Sequence, residues 1–223
     1  MSIEGLFFDF DGVIADTETC WVQTIMSYCA ARGIALDRRT LYSYLGDGDV
    51  QMLRYLGMCC GAASETLLAE LRPLFQQRTE QLTLRPGIRA CIEYAQKRNL
   101  RLALVSNSTA PYIDRWLKKL GLQETFSCVV TRTPELPGKP APDLYLAALQ
   151  KTGLAARHVL AVEDSMLGLR AACAAGVCAV AYPNEATREE VTKSFSFCTN
   201  LGSISPQALI DQTEHFYRQM TAG

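Results

Sequence analysis

The sequence predicts an α/β fold: a doubly wound parallel sheet, interrupted after its first strand by an all-helical insert. Three observations predict it. From residue 85 onward, short apolar runs of strand length alternate with helical periodicity. That alternation implies parallel strands buried on both faces and joined by right-handed crossovers. Between Thr17 and about Leu84 no strand signal occurs. Finally, several strand-like runs end in small clusters of polar residues, at the edge where open α/β sheets bind ligands.

The first element is the apolar run Ile3 to Phe8, a buried strand followed by Asp9-Phe10-Asp11-Gly12. The insert then opens with a helix carrying Trp21, Ile25, Tyr28 and Cys29 at spacings of three and four, ending near Gly33. Thr40 to Leu45 and Val50 to Met58 read as helices, with Gly46-Asp47-Gly48-Asp49 as the loop between them. Ser64 to Leu82 reads as a longer helix with Ser64 as N-cap, and Pro73 predicts a kink or break inside it.

Arg85-Pro86-Gly87 returns the chain to the sheet. Helix 88–98, strand 101–105 and helix 109–120 follow, the last ended by Gly121. Then come strand 127–131, a Pro-rich loop to Pro142 and a helix to Gly153. Strand 158–162, helix 165–175, strand 177–181 and a last strand near Phe195-Ser196-Phe197 complete the pattern. The predicted organisation is a core from residues 1–16 and 85–223 with a helical cap at 17–84.

The chemistry begins at the end of the first strand. Side chains at i and i+2 of an extended chain share a face, so Asp9 and Asp11 look into one crevice, and Gly12 lets the chain turn there. Adjacent carboxylates repel unless a cation or shared proton compensates. An oxygen-only ligand set suits a hard cation, Mg²⁺ in particular. Three further pieces follow in order: strand Leu102 to Val105 ending in Ser106-Asn107-Ser108, the segment Gly138-Lys139-Pro140, and strand Val159 to Val162 ending in Glu163-Asp164-Ser165 with Gly168 beyond.

In this order the four pieces resemble the haloacid dehalogenase-like superfamily of aspartate-nucleophile phosphatases. The likeness is to its subgroup with a helical cap, which includes beta-phosphoglucomutase and sugar-phosphate phosphatases. It covers nearly the whole chain. The resemblance implies that Asp9 is the nucleophile, forming an aspartyl-phosphate that water hydrolyses, and that Asp11 is the general acid and base. Ser106 and Asn107 would hold the phosphoryl group at a helix N-terminus, and Lys139 would neutralise charge on Asp9 and the phosphoryl oxygens. Asp9, Asp164 and the backbone carbonyl of Asp11 would bind Mg²⁺, with Glu163 as outer partner.

The insert departs from the mutase of that subgroup. Where the mutase carries a histidine on its first cap helix, this chain has Trp21, and no lysine precedes Lys97 to grip a second phosphate. Asp47 and Asp49 stand near that position and would repel a second phosphate while accepting hydrogen bonds from sugar hydroxyls. Trp21, Asp47 and Asp49 are therefore the candidate specificity residues. The expected function is Mg²⁺-dependent hydrolysis of a small phosphorylated metabolite, a sugar phosphate foremost. The alternatives are a hexose phosphate mutase and an inactive binding module on the same fold.

Composition agrees with a globular enzyme. The chain has 223 residues and a net charge of −1, so it lacks the basic footprint of a nucleic-acid binder. Its longest apolar runs are too short to span a bilayer, and it opens on a strand without a basic leader. The expectation is a cytoplasmic monomer or weak dimer whose partner is a small phosphomonoester. Nine cysteines, an odd number with no Cys-x-x-Cys pair, predict reduced thiols. Cys91, Cys128, Cys173, Cys178 and Cys198 are expected to be buried small hydrophobes, and Cys59-Cys60 to end a helix. His158 and His215 lie outside the motif set.

Overall fold

A computed structural model describes residues 2–45 and 50–222. The predicted loop of residues 46–49, with Asp47 and Asp49, lies outside the described residues. The chain divides into two compact units, one from Asp16 to Leu82 and the other from the remaining N-terminal and C-terminal segments.

The larger unit is built on five parallel strands. They are β1 (Gly5–Phe8), β2 (Arg101–Ser106), β3 (Cys128–Thr131), β4 (Val159–Glu163) and β5 (Cys178–Ala181), in the order β3-β2-β1-β4-β5. Strand β1 is central, with Phe7 paired to Ala103 on one side and Ala161 on the other. The chain runs outward from β1 to β2 and β3, then crosses back past β1 to β4 and on to β5, which makes the C-terminal ends of β1 and β4 the switch point where such sheets form a crevice.

All four residues of β1 are buried. Alternation sends Phe7, Ala103, Ala161 and Ala179 to one face, where they pack with Leu144, Tyr145, Ala148, Leu169 and Ala172. Burying one side chain of Phe7's size stabilises by about 1.5–3 kcal/mol, and truncating it to Ala costs about 3–5 kcal/mol because a cavity adds to the lost transfer energy. Leu6 and Phe8, pointing the other way, are as deeply buried.

The smaller unit contains α1 (Thr17–Ala30), α2 (Arg38–Tyr42), α3 (Val50–Cys60) and α4 (Ser64–Thr79). Their apolar stripes meet in a core of Trp21, Ile25, Tyr28, Leu41, Met52, Leu56, Leu67 and Leu71. Asp16 caps α1 by accepting from the Thr19 amide at 3.2 Å. The break and the side-chain cap expected in α4 are both absent. Helix α4 continues through Pro73: a proline forfeits one ladder bond, and burial of Leu67 and Leu71 holds the helix on. Its N-cap is the extended Ala63, not Ser64, and no side chain caps it.

Helices α5 (Ile88–Lys97), α6 (Ala110–Leu120), α7 (Asp143–Thr152), α8 (Met166–Ala174), α9 (Arg188–Ser194) and α10 (Pro206–Ala222) complete the larger unit. The predicted strand near Phe195 is absent. Phe195 is the extended cap of α9, a helix the sequence reading did not include. Only a single bridge between Ala181 and Cys198 remains of that pairing. All nine cysteines are free, but Cys173 is exposed and Cys128 and Cys198 only half-buried, against the expected burial of all three. Cys173 sits near the C-terminal end of the short, Ala-rich α8. Among the described residues, no helix is long and apolar enough to cross a membrane.

Candidate active site

Every strand bordering the switch point delivers a polar group there, because each ends as its apolar run ends. Asp9 follows β1 and is 8% exposed. Gly12, with φ of 80°, makes the turn, and a Cβ there would lie 1.9 Å from Asp164 Oδ2. The close approach therefore requires glycine for space as well as for its dihedral.

Lys139 arrives from the loop before α7 and is buried. Its ammonium donates to Asp9 Oδ1 at 2.7 Å, to Glu163 Oε1 at 2.6 Å and to the Val105 carbonyl at 2.7 Å. These three acceptors satisfy its three N–H donors. Asn107 fixes the backbone of this lysine: Lys139 N donates to Asn107 Oδ1 at 2.7 Å, and Asn107 Nδ2 donates to the Lys139 carbonyl at 3.2 Å. Ser106, 1% exposed, accepts from the Ser108 amide through Oγ at 3.0 Å.

Glu163 ends β4 and Asp164 follows it, and both are buried. Tyr145 OH donates to Glu163 Oε1, so this oxygen serves both Lys139 and Tyr145. Glu163 Oε2 is buried without a hydrogen-bond partner. Gly168 makes room for it, since a Cβ there would lie 1.9 Å from Oε2. Asp164 Oδ2 accepts from Asn184 Nδ2 at 2.8 Å. Asn184 is in turn held by the amides of Ala186 and Thr187, which donate to its Oδ1 at 2.8 and 3.0 Å.

Electrostatics follow from this burial. Desolvation pushes the Glu163 carboxyl up to about 7, with the Asp9 charge adding to it and Lys139 opposing. Burial alone would lower Lys139, but the Asp9 and Glu163 carboxylates outweigh it and hold the ammonium charged. Burial and then the Glu163 charge keep the Tyr145 phenol well above its usual value.

Ligand oxygens of Asp9, Glu163 and Asp164 all lie within 4.8 Å of one another. Three buried carboxylates, one with an unpartnered oxygen, form a donor set that fits a hard divalent cation. The Asp11 side chain lies outside that cluster and binds instead to Ser108 and Tyr112.

The structure thus brings Asp9, Asp11, Ser106, Asn107, Lys139, Glu163 and Asp164 to the C-terminal edge of the sheet. Trp21 lies in the core of the smaller unit, edge-on to Phe75 with ring centroids 5.3 Å apart. Three residues of the site escaped the sequence reading. Asn184 holds Asp164, and its one local signal is a Pro-Asn turn after the fifth strand. Arg85 donates to the carbonyls of Gly12, Tyr182 and Pro183, tying the turn after β1 to the loop that carries Asn184. Tyr112 holds Asp11 from α6, and nothing in its surrounding sequence marks it.

A family model described as haloacid dehalogenase-like hydrolase matches residues 6–182. The protein CbbY of Rhodobacter capsulatus is 33% identical over 204 residues, covering 84% of this chain and 88% of its own. A phosphoglycolate phosphatase of Yersinia pestis is 30% identical over 182 residues, covering 78% of each chain. Among solved structures, a single-site variant of CbbY from Rhodobacter sphaeroides in complex with xylulose-(1,5)bisphosphate superposes with a TM-score of 0.71 at 26% identity. It covers 90% of this chain and 96% of the other.

Proposed function

The chain belongs to the haloacid dehalogenase-like hydrolases and is a phosphoric monoester hydrolase, and from that premise we propose that it is a Mg²⁺-dependent phosphatase of sugar phosphates. The observation that carries the reading is the buried Asp9 carboxylate, 2.7 Å from the Lys139 ammonium and within reach of the Glu163 and Asp164 oxygens. The relatives' names, a phosphoglycolate phosphatase and a protein crystallised with a pentulose bisphosphate, support a small phosphorylated substrate.

In this reading an Asp9 carboxylate oxygen attacks phosphorus, forming the O–P bond of an aspartyl-phosphate as the P–O ester bond breaks. Asp11 gives its proton to the departing ester oxygen and then takes one from the water that attacks the aspartyl-phosphate. Lys139 neutralises charge on Asp9 and on the incoming phosphoryl oxygens. The Ser106 hydroxyl and the Asn107 backbone N–H bind those oxygens, and the Asn107 carboxamide keeps Lys139 in place. Asp9, Asp164 and the Asp11 backbone carbonyl would hold Mg²⁺, with Glu163 behind them, and the ion supplies charge neutralisation for the phosphoryl group. The helical unit is the cap that selects which ester is accepted.

Turnover of 4-nitrophenyl phosphate with Mg²⁺, and its loss with chelator, tests the reaction. Absence of turnover in both conditions overturns it. A screen of phosphorylated sugars for phosphate release tests the substrate class. It includes a hexose monophosphate and the matching bisphosphate, assayed also on Asp47→Asn with Asp49→Asn; an unchanged kcat/KM ratio removes those two residues from substrate selection.

A further inference from the structure

Both carboxylate oxygens of Asp11 are gripped by hydroxyls. Ser108 Oγ donates to Oδ2 at 2.6 Å, and Tyr112 OH donates to Oδ1 at 2.9 Å. Ser108 lies in the turn after β2, and Tyr112 in the first turn of α6. The phenol stands on a packed aromatic platform. Its ring meets Phe10 edge-on at 6.3 Å and Trp116 at 6.3 Å, and the Arg115 guanidinium carbon is 5.6 Å from its centroid. Phe10 is fully buried and Trp116 is 4% exposed. Tyr112 itself is half-buried, and packing of its ring against these neighbours restricts where the phenolic oxygen can lie.

We propose that Tyr112, assisted by Ser108, is a positioning residue that orients the Asp11 carboxyl for proton delivery to the leaving ester oxygen. The inference rests on the reading of Asp11 as general acid. As the Asp9–phosphorus bond forms and the ester P–O bond breaks, the Asp11 proton passes to the ester oxygen, which departs as an alcohol. The transfer requires the carboxyl within hydrogen-bond reach of that oxygen, and misplacement by about 1 Å can cost about 100-fold in rate. Two donors, one on each oxygen, hold both the direction and the plane of the carboxyl. A free Asp11 would rotate about its two side-chain torsions.

A positioning role and a merely structural one differ in their dependence on the leaving group. An alkoxide must be protonated as it departs, whereas 4-nitrophenolate leaves as an anion. The parameter kcat/KM reports only the steps through phosphorylation of Asp9, so it isolates this proton transfer. The experiment measures kcat/KM of the wild type, Tyr112→Phe, Ser108→Ala and Asp11→Asn with a hexose 6-phosphate and with 4-nitrophenyl phosphate. Tyr112→Phe removes one oxygen and keeps the ring packing, and thermal melting checks that it folds as the wild type does.

The expected result for Tyr112→Phe is a fall of about 10- to 100-fold with the sugar phosphate and under about threefold with the aryl ester, a part of the roughly 100- to 10,000-fold that general acids supply. Ser108→Ala should show the same selectivity, and Asp11→Asn a larger form of it. Equal losses on both substrates, or no loss on either, overturn the inference. If Asp11→Asn itself does not discriminate between the substrates, the acid role of Asp11 fails and the inference falls with it. If Asp11→Asn discriminates and Tyr112→Phe does not, only the inference falls.

Discussion

Lys139 Nζ lies 2.7 Å from Asp9 Oδ1, although 130 residues separate the two in the chain. Their side chains are 3% and 11% exposed, and Glu163 Oε1 lies on the same ammonium at 2.6 Å. One cation thus compensates two buried carboxylates, a pairing that only a closed tertiary structure can assemble.

Lys139→Met should therefore damage stability as well as rate. Removing one partner of a buried ion pair leaves uncompensated charge and costs about 3–5 kcal/mol. Urea denaturation of the variant without metal should show a lower midpoint with an unchanged slope. A midpoint equal to that of the wild type means the lysine is structurally dispensable.

Asp9→Asn keeps the size of the side chain and removes its reactivity. Turnover should fall by at least about 1,000-fold, as expected for the loss of a covalent catalyst. The fold should persist, because relief of repulsion among Asp9, Glu163 and Asp164 offsets the lost bond to Lys139. Purified, folded variant protein with activity within about tenfold of the wild type refutes the nucleophile assignment.

The carboxylates of β4 should separate in a Mg²⁺ titration followed by calorimetry. Asp164→Ala should abolish measurable binding, and Glu163→Ala should weaken it about 10- to 100-fold, as outer partners do. Gly168→Ala should resemble Glu163→Ala, because its Cβ would collide with Glu163 Oε2 at 1.9 Å and displace the carboxylate. Greater damage from Glu163→Ala than from Asp164→Ala reverses the two roles.

The thiols should divide by burial. Burial, then the neighbouring Cys60 thiol 3.8 Å away, pushes the Cys29 thiol up to about 12. Burial pushes Cys91 and Cys178 up to about 11. The thiolate is the reactive form, so iodoacetamide at pH 8 should label exposed Cys59 first and these three only after unfolding. Since the folded state raises Cys29 from 9.0 to about 12, its neutral form adds stability that is complete below about pH 9 and lost as pH rises toward 12. Mass mapping that finds Cys29 and Cys59 labelled at equal rates in folded protein contradicts the buried site.

What the sequence by itself determined was the order of parts. The parallel sheet, the helical stretch from Thr17 on, and the placing of Asp9, Asp11, Ser106, Asn107, Lys139, Glu163 and Asp164 at strand ends and turns were all legible. Each rests on local signals: apolar runs, helical spacing and turn residues. The tertiary structure alone decided which of these groups meet. It set Lys139 between Asp9 and Glu163, and it left one Glu163 oxygen unpartnered over Gly168. It also recruited Asn184, Arg85 and Tyr112, of which only Asn184 carried a local signal, its Pro-Asn turn. It overruled two local signals as well, carrying α4 through Pro73 and turning Phe195 into a helix cap. The physical reason is the same throughout. Periodicity and turn chemistry describe neighbours along the chain, whereas Tyr112 reaches Asp11 across 101 residues and Asn184 reaches Asp164 across 20. Contacts of that reach depend on packed side-chain directions, which exist only once the sheet has closed around them.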